Sequence, residues 1–192
     1  QKLPSGDVRL GGVTVHRKTN EVSFPAKVNM TGGHIDVIAA TEDGRLYESL
    51  LRTDTRPFHL QTMLYLLGAM NGPRLPAIDG KQGALFAIDL EWRTEDGRAV
   101  REPVESWLFD ERTQKPMARF GWVFVGSSIA DGRFLADVEG NLCVSFSAGE
   151  TVLDIPDPGG DKAWTFSVRD TKTEPGKDAP VRVIVVPRKK VP

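Results

Sequence analysis

The sequence predicts a mainly β fold, a β-sandwich or distorted barrel, with one α-helix packed on it at about residues 56–70. Three observations carry this expectation. Short apolar runs recur along most of the chain at the regular spacing of sandwich and barrel strands. Turn signals such as Asp43-Gly44, Asp131-Gly132 and Glu174-Pro175-Gly176 separate them. A single segment carries apolar residues at helical spacing instead.

In chain order, Val22-Ser23-Phe24 reads as the first strand, after the polar turn Lys18-Thr19-Asn20. His34 to Ala39 and Leu46 to Leu51 flank Glu42-Asp43-Gly44, and an Asp-Gly pair between two such runs predicts a hairpin, because Gly accepts the positive φ of a tight turn. The helix follows. Leu60, Met63, Leu64 and Leu67 fall at i, i+3, i+4 and i+7, one stripe of a helix surface. Asp54 or Thr55 is the expected N-cap, Pro57 suits the first turn, and Asn71-Gly72-Pro73 is the expected stop.

Leu85 to Trp92 then alternates, with Phe86, Ile88, Leu90 and Trp92 on one face, and Val100 to Leu108 returns after Glu95-Asp96-Gly97. Trp122 to Val125, Phe134 to Asp137, Leu142 to Phe146, Thr151 to Ile155, Trp164 to Val168 and Val181 to Val186 complete the expected strands. The expected organisation is a flexible segment at 1–9, one β-rich domain at 10–188 and a tail at 189–192.

Composition excludes several function classes. The 192 residues include 27% charged side chains that sum to −1, so no polybasic nucleic-acid surface is encoded. No apolar run approaches the ~20 residues of a membrane-spanning helix. The one cysteine, Cys143, cannot make an internal disulfide or a cysteine-rich metal site, and its apolar strand context reads as core. The three histidines are dispersed, and neither HExxH, Gly-x-Ser-x-Gly nor a phosphate-binding glycine loop occurs. No metal or other cofactor is expected. Asp154, Asp157 and Asp161 around Pro158-Gly159-Gly160 lack calcium-loop spacing and read as turn chemistry.

Tyr47-Glu48-Ser49-Leu50-Leu51, then Thr53-Asp54-Thr55-Arg56-Pro57 and Leu66-Leu67-Gly68-Ala69, resembles the YdjY-like family of bacterial proteins. Trp122 to Ser127, Ala136-Asp137 with Gly140, Val144-Ser145-Phe146 and Leu153 to Pro156 fit the same pattern, as does Val181 to Pro187, so the resemblance spans about 10–188. It implies an exported or lipid-anchored protein of the cell envelope. The start at Gln1 without a Met fits removal of a signal peptide and fits trimming equally well. Some family members carry a ferredoxin-like cysteine cluster beside this domain; the cysteines are missing here, so that link does not transfer. Tyr47 stands where related sequences show histidine.

The candidate surface is the corner where the Glu48 strand meets the helix: Glu48, Asp54, Arg56 and His59, with Trp107. Glu48 sits among Leu46, Leu50 and Leu51, so burial should raise its pKa unless Arg52 or Arg56 pairs with it. Its removal is expected to cost about 1–3 kcal/mol. Trp92, Trp107, Trp122 and Trp164 fall on expected strands; Trp107 has the polar neighbours Glu102, Glu105 and Asp110 and is the one expected to be exposed. The leading functional expectation is a non-enzymatic module that binds an envelope protein or small ligand, with no nucleic-acid partner. The rival is an envelope hydrolase or isomerase using Glu48 with His59 or Asp110 as its acid/base pair.

Overall fold

The computed structural model describes residues 1–77, 80–170 and 174–188; the expected tail at 189–192 lies outside them. Eight strands close into a barrel: β1 (Glu21–Val28), β2 (Val37–Ala40), β3 (Ser49–Arg52), β4 (Leu85–Arg93), β5 (Trp122–Phe124), β6 (Asn141–Val144), β7 (Leu153–Asp154) and β8 (Pro180–Pro187). Around the ring the order is β1-β8-β4-β5-β7-β6-β2-β3 and back to β1. Closure leaves no open edge on the ring itself. Alternation fills the interior: Val22, Phe24, Ala26 and Val28 of β1, Phe86, Ile88, Leu90 and Trp92 of β4, and Val181, Val183 and Val185 of β8 are all buried.

The expected hairpin across Asp43-Gly44 does not form. β2 and β3 run parallel, with Val37 opposite Ser49, and β6 and β7 are parallel as well. A parallel return must carry the chain back along the strand, and here a 3₁₀ turn at Leu46–Glu48 does so. Glu48 therefore ends a turn rather than lying inside a strand. Gly44 and Gly140 meet where the connection after β2 crosses the end of β6. A β-carbon on Gly140, whose φ is +71°, would lie 2.4 Å from the Gly44 nitrogen, so glycine is required there.

Two expected strands divide between sheets. His34–Ile35 pairs with Phe166–Val168 in a separate four-stranded sheet completed by Leu108–Asp110 and Lys115–Pro116. Asp36 is the pivot between that strand and β2. Its carboxylate accepts the Trp164 N–H at 2.8 Å, and its carbonyl accepts from Ser145 and Phe146. Likewise Ala99–Pro103 pairs with β4, a 3₁₀ turn at Val104–Trp107 redirects the chain, and Leu108–Asp110 joins the second sheet.

Helix α1 (Pro57–Leu66) buries Pro57, Leu60, Met63 and Leu64 against the barrel; Leu67 caps it. It ends earlier than expected, because Gly68 takes a left-handed φ of +88°. Gly68 N–H then bonds to Tyr65 O and Ala69 N–H to Leu64 O, which closes the helix at Leu67. The N-cap is Arg56, without a capping side chain of its own, rather than Asp54 or Thr55. Asp137 supplies the missing acceptor: its Oδ1 takes the Phe58 N–H at 2.8 Å. Asp137 belongs to a second short helix, α2 (Leu135–Glu139), where a strand was expected. Asp131-Gly132 does turn a two-residue hairpin (Ile129–Ala130 with Arg133–Phe134), and four residues of pattern beyond it fit either structure. Among the described residues no helix is long and apolar enough to cross a membrane.

Candidate functional site

The N-terminal residues extend the barrel sheet. Strands Val8–Leu10 and Val13–His16 form a meander on β1, with Val8 opposite Val15, Thr14 opposite Ser23 and His16 opposite Glu21. Alternation turns Val13 and Val15 into the core, so Thr14, His16 and Ser23 share the outer face. One step before the first ladder pair, Asp7 stands across from His16. Ser23, two residues from the ladder partner of His16, is its diagonal neighbour.

This register aligns three polar side chains. His16 Nδ1 lies 3.3 Å from Asp7 Oδ2, and His16 Nε2 lies 2.7 Å from Ser23 Oγ. Asp7 is fixed further by the Arg17 N–H at 3.1 Å on Oδ1. Hydrogen bonds from the Ser5 side chain, Arg17 and His16 hold its carboxyl below the ordinary range despite partial desolvation. An ionised carboxylate only accepts, so Nδ1 carries the imidazole proton. In the neutral imidazole Nε2 is then the acceptor, and the Ser23 hydroxyl donates to it.

The line opens onto a cleft of about 830 Å³ on the outer face of the sheet. Leu3 and Pro25 give it apolar surface, while Arg9, Arg93 and Arg182 also line it. Arg182 is paired with Glu91 at 2.6 Å. Arg9 instead contacts Thr14 Oγ1 at 3.4 Å, and Arg93 donates to the Gly97 carbonyl at 2.9 Å. Among the described residues neither Arg9 nor Arg93 has a carboxylate partner. Beside the cleft, Arg101 bridges Glu21 and Asp89 at 2.9 Å each, so both flanking carboxylates share one guanidinium.

The residues expected at the strand-to-helix corner are dispersed. Glu48 is buried, with Arg45 Nη1 2.7 Å from Oε1, so its cation is Arg45 rather than Arg52 or Arg56. Burial pushes its pKa up, Arg45 pulls it down, and Asp36 adds to the rise. Arg52 pairs with Asp178 and Arg56 with Asp137. Asp54 is exposed and lines a separate recess with Lys27, Glu42 and Arg52. His59 packs against Gly11, where an added β-carbon would fall 2.3 Å from Nδ1. Trp107 is 2% exposed and stacks edge-on against Trp92 at 5.4 Å, which corrects the expectation that it is exposed. The exposed tryptophan is Trp164, at 67%; it lies in a turn ahead of its strand.

The residues of the rival acid/base pair engage other partners. Asp110 is held by Arg112 at 2.7 Å, and although burial opposes it, that guanidinium keeps the carboxyl below its ordinary range. None of Glu48, His59 and Asp110 lines the 830 Å³ cleft. The three aspartates near Pro158 are engaged separately: Asp154 with Ser147, Asp157 with Arg112, and Asp161 with Arg74. The sequence reading missed Asp7, His16 and Ser23. They are near one another in sequence, but only the register of two hairpins puts them on one face.

No family model matches the chain, and neither the curated proteins nor the solved structures include a match to it.

Proposed function

We propose that this chain is an exported, YdjY-like module of the cell envelope that binds a small anionic ligand in the cleft on the outer face of the barrel. The observation that carries the binding half is the pair Arg9 and Arg93, two arginines lining an open cleft with no carboxylate partner among the described residues. Guanidinium forks match carboxylate and phosphate oxygens in geometry and charge. The volume suits a small molecule, and apolar walls with a few convergent polar groups are the usual build of a ligand site. Leu3 and Pro25 would take the ligand's apolar part while the arginines take its charge. The envelope half rests on the residue pattern from Tyr47 to Ala69.

Phenyl phosphate, an anion on an aromatic ring, is a suitable probe. In a titration followed by the arginine Nε–Hε signals in NMR spectra, those of Arg9 and Arg93 are expected to move saturably. Arg9→Gln and Arg93→Gln should each weaken binding, as should added salt. The absence of any saturable movement up to ~10 mM, well past the ~1 mM that corresponds to about −4 kcal/mol, would overturn the binding half. Fractionation of cells making the full-length gene product tests the location, and recovery with the cytosol would overturn it.

A further inference from the structure

We infer that Ser23 is an acyl-accepting nucleophile and that the cleft hydrolyses a small carboxylic ester carrying a negative charge. The inference rests on the cleft being a ligand site, as proposed above, and adds a reaction to it. A serine hydroxyl is a weak nucleophile until a base takes its proton, and the base must be held in the right tautomer. Both conditions are met. Ser23 Oγ is 2.7 Å from His16 Nε2, and Asp7 Oδ2 is 3.3 Å from Nδ1. The same roles recur on unrelated folds and are recognised by geometry rather than by sequence order.

The reaction follows from these positions. Ser23 Oγ bonds to the ester carbonyl carbon as its proton passes to His16 Nε2. The C–O bond to the alcohol then breaks, and the imidazolium returns the proton to the leaving oxygen. Water attacks the acyl-Ser23 ester, gives a proton to Nε2, and the carboxylic acid leaves as Ser23 Oγ recovers that proton. No oxidant or reductant enters. Ser23 lies within a ladder, between Thr14 and Ile184, so its strand offers no elbow of free N–H groups for the developing oxyanion. Arg9 contacts Thr14, the cross-strand partner of Ser23, and so supplies a positive charge to that side of the cleft rather than a hydrogen-bonding oxyanion hole. Asp7 is a positioning residue, since it acts through His16. Arg93, farther along the cleft, meets the negative charge of the substrate.

Diisopropyl fluorophosphate tests the nucleophile, with intact mass and peptide mapping as the readout. One diisopropylphosphoryl group is expected on the peptide containing Ser23, and none on Ser23→Ala. His16→Gln should slow labelling about 10²–10⁴-fold, the usual worth of a general base. Asp7→Asn should slow labelling with phenyl phosphate binding unchanged, and Asp7→Glu should restore part of the rate; a purely structural hydrogen bond would leave no such split. 4-Nitrophenyl hydrogen glutarate should be hydrolysed faster than neutral 4-nitrophenyl acetate, and Arg93→Gln should remove that advantage. A folded wild-type chain that stays unlabelled at Ser23, or a His16→Gln chain that labels at the wild-type rate, would overturn the inference. Phenyl phosphate binding measured on the same samples separates the two readings. Binding without labelling sinks the nucleophile alone, and loss of both sinks the cleft as well.

Discussion

Replacing Asp154 with asparagine should stabilise the protein at neutral pH and leave it unchanged in acid. Asp154 lies on β7, buried, with the Ser147 hydroxyl donating to Oδ1 at 2.8 Å. Burial outweighs this hydrogen bond and the attraction of Arg74, and raises the carboxyl from the ordinary 3.8 to about 6. The folded chain therefore holds this proton more tightly than the unfolded chain does. Below pH ~4 both states are protonated and no penalty exists. Between ~4 and ~6 the unfolded state releases the proton first, so stability falls as pH rises. Above ~6 the full penalty applies, roughly 3 kcal/mol at about 1.4 kcal/mol per pH unit of displacement. Asparagine never ionises and keeps an oxygen to accept the Ser147 hydroxyl. Wild type and Asp154→Asn should match in urea denaturation at pH 3.5 and differ by roughly 3 kcal/mol at pH 7.5. In thermal melts the gap should be on the order of 5–10 °C for a chain of this size. A difference that stays constant across this range, or a variant less stable at pH 7.5, would refute the assignment of the penalty to a buried charge.

Two further outcomes follow from the same structure. Asp137→Ala removes the acceptor of the Phe58 N–H and the partner of Arg56, so it should cost about 1–2 kcal/mol, the upper range of a lost N-cap. Urea denaturation measures this, and an unchanged midpoint would show that α1 needs no borrowed cap. Glu48→Gln should stabilise above the ordinary carboxylate range and not below it, because burial raises the Glu48 pKa and its favourable contribution is lost as pH rises through that raised value. This is the opposite sign to the cost expected for Glu48 from sequence. Melts at pH 4 and pH 7.5 decide between them, and a uniform loss at both would restore a structural role for the charge.

Elements governed by local rules were legible in the sequence. Alternation named the inward face of β4, because a strand with one dry face must repeat every two residues. The stripe Leu60, Met63, Leu64 located α1, and Asp131-Gly132 located a turn. What failed was topology. Asp-Gly at 43–44 signals a reversal, yet the chain makes a longer return and pairs in parallel, since strand direction is set by ring closure and not by the turn residues alone. His34 to Ala39 and Val100 to Leu108 each read as one strand. Each is cut in two where the chain changes sheet, at Asp36 and at the 3₁₀ turn before Leu108. A period-two pattern continues through such a break whenever both halves keep an inner face, so nothing in composition marks it.

The candidate site shows the same limit more sharply. Polar residues around an apolar strand drew attention to Glu48, and the structure does bury it, but with a neighbour three residues away that makes its environment self-contained. Asp7, His16 and Ser23 carry no motif, because their spacing is set by two turns of different length. Once the pairs Val8–Val15 and Val15–Val22 are known, the rest is forced: Asp7 must face His16, and Ser23 must sit diagonal to it on the outer side. A slip of one residue in either hairpin would turn Val13 and Val15 outward and cost the burial that holds the meander on the barrel. The apolar residues thus fix the register, and the register fixes the polar line. The chemistry of the cleft is a by-product of core packing that becomes readable only after the strands are paired.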